Sequence, residues 1–181
     1  MEERDHVQYV LEQWRRESPR LDRSSFAVIG RISRLARLLE EEHEPVFAAN
    51  GLNGGEFDVL AALRREGRPY RLTPTVLSRA LMVTSGGMTK RLAGLERRGL
   101  IKREPDPADG RSTAVSLTRE GSRLVDTTLA EQVANQQRLV SGLARTERAE
   151  LARLLEKLAL SLGDQAERRG TRRAAGPRKL A

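Results

Sequence analysis

A chain of 181 residues with 38% hydrophobic and 32% charged side chains can bury one good core and suits a soluble helical domain, so a single domain is expected. The absence of cysteine excludes disulfides, thiol redox chemistry, thiolate zinc sites and a cysteine nucleophile. No apolar run is long enough to cross a bilayer, and the start MEERD lacks the basic head and apolar stretch of a signal peptide, so a cytoplasmic location without a membrane partner is expected.

Val7, Val10, Leu11 and Trp14 follow amphipathic helical spacing, and Ser18 with Pro19 closes this first helix. From Ser24 or Ser25 as N-cap, Phe26, Ile29, Ile32, Leu35 and Leu39 lay an apolar stripe along a longer helix that fades near Asn50, with its EEEHE segment facing water. Phe57, Leu60, Ala61 and Leu63 predict a third helix stopped at Gly67, and Thr73 with Pro74 forms an N-cap and first-turn pair for a fourth. A turn over Met82 to Thr84 leads into SGGMTKRLAGLERRG, where Met88, Leu92 and Leu95 face inward and Gly99 supplies the stop.

The stretch LIKREPDPADGRSTAVSL breaks the helical spacing. Two short runs, Leu100 to Glu104 and Thr113 to Leu117, flank a Pro, Asp and Gly cluster that favours a turn, which predicts a hairpin. Thr118 then caps a helix through Leu124, Leu129, Val133 and Leu139, and Thr146 caps another through Leu151, Leu154, Leu155 and Leu158. Aliphatic surface on that scale calls for a partner, most simply a second copy about a two-fold axis. The last segment, QAERRGTRRAAGPRKLA, holds six basic residues against one acidic, so +5 of the net +8 lies there and only +3 elsewhere. Its lack of large apolar residues apart from Leu180 reads as a disordered, solvated end that touches phosphates at most without specificity.

Two short helices joined by a tight turn, the second starting with small and polar residues, describe a helix-turn-helix. Thr84, Ser85, Gly86, Gly87, Thr89 and Lys90 occupy the leading end of its recognition helix. Small side chains let the backbone approach a groove, hydroxyls and Lys90 reach base edges or phosphates, and a helix N-terminus attracts phosphate. The plainer reading of Ser-Gly-Gly is a loose helix start. A hairpin directly after a recognition helix reads as a wing, with Arg111 directed at the adjacent minor groove and Asp109 orienting it. Taken alone, PDPADGRS is an ordinary solvated turn.

The run from SGGMTKRLAGLERRGLIKREPDPADGR to AVSLTREG resembles the MarR family of winged helix-turn-helix repressors, whose wing carries D-x-R-G/S, over roughly residues 24 to 163. That resemblance implies a mainly α fold with a small β-wing, dimerised through its N- and C-terminal helices. The implied layout is an extension helix over 1–23, dimerisation helices over 24–52 and 119–163, a DNA-binding lobe over 53–118 and a basic tail over 164–181. It further implies a homodimer on a double-stranded, pseudo-palindromic operator.

The extra helix with Trp14, together with Asp58, Arg91 and Arg103, resembles the urate-responsive subgroup, whose members answer to urate, xanthine or polycarboxylates such as citrate and trans-aconitate. Carried over position by position, these four residues form the set for a small anionic ligand. Each has a plainer reading: Trp14 as core, Asp58 as an exposed charge or the ion-pair partner of Arg91, Arg91 as a phosphate contact, Arg103 as a solvated edge-strand charge. Catalysis is not expected. His6 and His43 are far apart in sequence, no Ser, His and Asp set or phosphate loop occurs, and neither metal nor cofactor is implied. A winged-helix DNA-binding protein without an effector is the remaining alternative.

Overall fold

The computed structural model describes residues 4–106 and 109–164, with side chains over 4–105 and 112–164. The side chains of Asp109 and Arg111, and the basic tail over 165–181, lie outside the described residues. The chain divides into two compact units, Met1–Gln136 and Gln137–Ala181, where composition leads one to expect one domain.

In the first unit, α1 (His6–Glu17) is capped by Asp5, whose carboxylate accepts from Gln8 N at 2.7 Å. This helix lies on α2 (Ser24–Ala49), where Gly30 leaves a notch for Val7: a Cβ there would stand 3.2 Å from the Val7 methyl Cγ1. Arg31 fastens the contact by donating from Nε and Nη2 to the two Asp5 oxygens at 2.7 and 3.1 Å. The N-cap of α2 is Arg23, one residue before the expected serines, because Asp22 accepts Ser24 N at 2.9 Å and takes over the capping bond. The EEEHE segment is mixed: its glutamates are exposed, while His43 is half-buried beside Phe47.

An Asn53–Glu56 capping box opens α3 (Gly54–Arg65), which carries Val59, Leu60 and Leu63 into the core. A two-residue strand β1 (Arg71–Leu72) precedes α4 (Pro74–Ala80), whose Thr73 cap accepts Val76 N at 3.3 Å as the Thr-Pro pair predicts. Next comes α5 (Ser85–Arg97), with Met88, Leu92 and Leu95 buried against Leu60, Leu63 and Leu77. Gly99, at φ +68°, lets the chain turn into β2 (Ile101–Asp106) and β3 (Asp109–Leu117).

The sheet is antiparallel in the order β1-β3-β2. Val115 pairs with both Leu72 and Arg103, and Leu117 with Ile101, so one face of the sheet closes the core that α3 and α5 begin. The sequence pattern anticipates the hairpin but not β1.

At the root of the hairpin, Thr118 Oγ1 donates to the carbonyls of Gly99 at 2.7 Å and Leu100 at 3.2 Å, and accepts Gly121 N at 3.0 Å. It thereby caps α6 (Arg119–Leu139), as expected, and ties that helix to the start of β2. Farther along, Glu131 accepts from Asn50 at 2.6 Å and Asn135 donates to the Glu42 carbonyl at 3.0 Å, so α6 runs beside the second half of α2. Arg64 on α3 grips Asp126 on α6 through Nε at 2.7 Å and Nη2 at 3.2 Å, with its charge over the Tyr70 ring.

The second unit holds α7 (Arg145–Ser161). Its N-cap is Ala144, not Thr146, because Glu147 reaches back to accept Ala144 N at 2.7 Å. Among the described residues, no helix is long and apolar enough to cross a membrane, and no cluster of acidic or histidine side chains fits a metal ion.

Candidate nucleic-acid interface and effector site

The two halves of the helix-turn-helix are α4 and α5. Between them Met82 takes a left-handed conformation at φ +50° and is 92% exposed, a feature invisible to pattern reading, which expects glycine at such a bend. The leading end of α5 faces outward: Thr84, Ser85, Gly86, Thr89 and Lys90 are exposed and Gly87 is half-buried.

Their roles divide once the contacts are known. Thr84 is the N-cap and accepts Gly87 N at 3.2 Å, while Thr89 donates to Ser85 O at 2.9 Å. Gly86 opens onto free space, which suits close approach to a groove. Gly87 is small for an internal reason, because a Cβ there would meet Val83 Cγ1 at 2.9 Å and the Thr84 hydroxyl at 3.2 Å.

Of the four expected ligand residues, the fold brings two together. Arg91 leaves α5 toward the start of α3, where its Nη1 donates to Gly55 O at 3.5 Å and its guanidinium packs closely against Gly55. A Cβ at Gly55 would stand 2.5 Å from Arg91 Cζ, so this glycine is the berth of the arginine. Asp58 lies one turn further along α3 and feels the charge of Arg91. Asp58 is exposed as a residue, yet desolvation of its carboxyl by neighbouring atoms raises it above the ordinary aspartate value of 3.8, against the opposing pull of Arg91 and Arg65.

Arg103 and Trp14 stand apart from that pair. Arg103 projects from β2 to Glu96 on α5, with Nε 3.1 Å from the carboxylate. Positions 91 and 96 are separated by roughly 140° around the helix, so Arg91 and Arg103 approach α5 from different sides. Trp14 lies on α1, 43% exposed, with no described contact to the other three. Glu96 escapes sequence reading because a glutamate near a helix end looks like ordinary surface. A groove of about 650 Å³ lies elsewhere, between α1 and α2, lined by Val7, Val10, Leu11, Phe26, Ile29 and Leu38 among others but by none of the four.

A compact three-stranded sheet completing a helix-turn-helix defines the winged-helix class of DNA-binding transcriptional regulators. The family model for the MarR family matches residues 50–112, which span α3 to the wing. The HTH-type transcriptional regulator PecS of Dickeya dadantii is 37% identical over 152 residues, covering 84% of this chain and 92% of PecS. The chain belongs to the MarR family.

Its fold is similar to that of a MarR variant from E. coli complexed with operator DNA, with a TM-score of 0.64 at 24% identity, covering 80% of this chain and 96% of that one. It is also similar to BpsR of Bordetella bronchiseptica, described with regulation of its DNA binding by 6-hydroxynicotinic acid, with a TM-score of 0.59 at 26% identity, covering 71% of this chain and 98% of that one. The protein is a DNA-binding transcriptional regulator and, like its relatives, not an enzyme.

Proposed function

We propose that the protein is a ligand-responsive repressor that binds a pseudo-palindromic operator as a homodimer and is released by a small anion of the urate and xanthine or polycarboxylate class. The observation that carries the effector reading is the berth of Arg91. A residue of the recognition helix lies on the first turn of α3 beside a partly desolvated Asp58, so one anion there acts on the helix that reads DNA.

In the DNA-competent state, attraction between Asp58 and Arg91 holds α5 against α3. An anion beside them repels Asp58 and recruits Arg91, favouring a helix position whose half-site spacing no longer fits the operator. A preference of about tenfold to a hundredfold between the two states, roughly 1.4 to 2.8 kcal/mol, is enough for derepression. Arg103 and Trp14 complete the site by resemblance, a guanidinium fork for the anion and an indole face for a purine. The regulation of BpsR by a heteroaromatic acid supports this ligand class.

On α2 the exposed Phe26, Ile29, Leu35 and Leu38, and on α7 the exposed Leu151, Leu154 and Leu155, support dimerisation through the terminal helices. Thr84, Ser85, Gly86, Gly87, Thr89 and Lys90 read the major groove, and Asp109 and Arg111 serve the wing. The separation of Arg103 and Trp14 from Asp58 and Arg91 favours a second reading without an effector.

A gel-shift titration on the upstream intergenic DNA, with urate, xanthine, citrate and trans-aconitate added separately, tests the proposal. Release by one of them, abolished in Arg103→Ala or Trp14→Phe, is expected. Tight binding indifferent to all four favours the second reading, and Arg91→Ala with both DNA binding and full ligand response intact refutes the coupling route.

A further inference from the structure

Arg103 is held without being satisfied. Its Nε is 3.1 Å from Glu96 Oε2, yet Nε and Nη2 are both buried and neither has an acceptor in line with its N–H bond. A guanidinium side chain that is 27% exposed therefore has its charge offset while two of its donors go unused. Glu96, 43% exposed, approaches from the last turns of α5, and Arg103 approaches from β2, so the contact bridges the recognition helix and the wing. A planar anion offering two adjacent acceptors would engage both idle donors as a fork, which a carboxylate held at this angle does not.

We infer that Glu96 is a built-in competitor for the effector: its carboxylate occupies Arg103 in the ligand-free protein and is displaced when the anion takes that arginine. This rests on the effector reading above and adds a residue that tunes its sensitivity. Displacement has a second effect, since it unties the end of α5 from β2 and leaves the Glu96 charge facing the incoming anion. The arrangement selects for ligands with paired acceptors, such as a urate anion or a carboxylate, over single-point anions such as chloride.

Isothermal titration of the full-length protein with urate and with trans-aconitate, without DNA, tests this on the wild type, Glu96→Gln and Glu104→Gln. Glu104 lies on the same strand, where it pairs with Lys102 at 2.7 Å, and its substitution removes an equal charge without freeing Arg103. Glu96→Gln is expected to bind the active ligand about twofold to fivefold more tightly, with Glu104→Gln close to wild type. Glu96→Asp, which keeps the charge but shortens the reach, is expected to fall between Glu96→Gln and wild type. Unchanged or weaker binding by Glu96→Gln, or an equal gain in Glu104→Gln, overturns the role of Glu96 while leaving the effector site standing. Failure of the wild type to bind either ligand overturns both.

Discussion

Gly121→Ala sets two physical effects against each other. Helix propensity alone favours alanine by about 0.5 to 1 kcal/mol, since glycine is the poorer helix former. Sterics oppose it: a Cβ on this backbone would lie 2.9 Å from the carbonyl carbon of Leu100 and 3.3 Å from its Cα, with the carbonyl oxygen closer still. Carbon atoms in good contact stand about 3.5 to 4.0 Å apart, so the junction of wing and α6 must open by at least about 0.6 Å to clear the carbonyl carbon and by more to clear the oxygen.

The atoms in the way are backbone and cannot rotate aside. Opening also stretches the bonds from Thr118 to the Gly99 and Leu100 carbonyls. Overpacking costs about 1 to 3 kcal/mol, and weakening two hydrogen bonds adds roughly 1 kcal/mol each. The net loss is about 2 to 4.5 kcal/mol, which lowers Tm by roughly 4 to 18 °C in a chain of this size. The assay is thermal unfolding by far-ultraviolet circular dichroism at fixed protein concentration, because self-association would make Tm concentration-dependent. A Tm equal to or above wild type would refute the steric argument and leave propensity in control.

Three further outcomes are expected. Gly55→Ala should evict Arg91 from its berth and weaken effector-driven DNA release by tenfold or more, with Tm lowered by no more than about 3 °C because a flexible side chain absorbs the clash; a normal response by gel shift would count against the berth. Asp58 has a folded pKa above its unfolded value, so its ionised form disfavours the native state at neutral pH. Asp58→Asn should therefore be more stable than wild type there in urea unfolding, with the gap closing as pH falls through the raised value and gone below 3.8, whereas a constant gap would contradict the burial argument. Asp126→Asn removes half of an ion pair whose side chains are 35% and 49% exposed, so urea unfolding should show a loss of about 1 kcal/mol at most.

The parts of the fold legible in the sequence are those with a local cause. The stripe along α2, the inward Met88, Leu92 and Leu95, the Thr73–Pro74 helix start and the glycine stop at Gly99 all follow from periodicity or backbone freedom and recur in the structure. Arg71 and Leu72 carry no periodic signal, and their strand exists only because β3 offers its edge. The caps of α2 and α7 were displaced by carboxylates two residues off the expected pattern or reaching back, a choice that composition does not rank. For the ligand set, residue chemistry alone leaves every member open, and the grouping rests on family resemblance. The contact of Arg91 with Gly55 spans 36 positions, and that of Arg103 with Glu96 joins two elements, so neither could be read from spacing.

The Thr118 junction gives α6 the character of a lever with a fixed pivot. From that pivot to Asn135, where the helix touches the Glu42 carbonyl, the arm is roughly 26 Å long at 1.5 Å per residue. A tilt of about 5° at the pivot would swing the Asn135 end by about 2 Å, enough to part a hydrogen bond that tolerates only a few tenths of an ångström. A small adjustment at the root of the hairpin is thus geared up along α6, and the crowding at Gly121 keeps the gearing free of play.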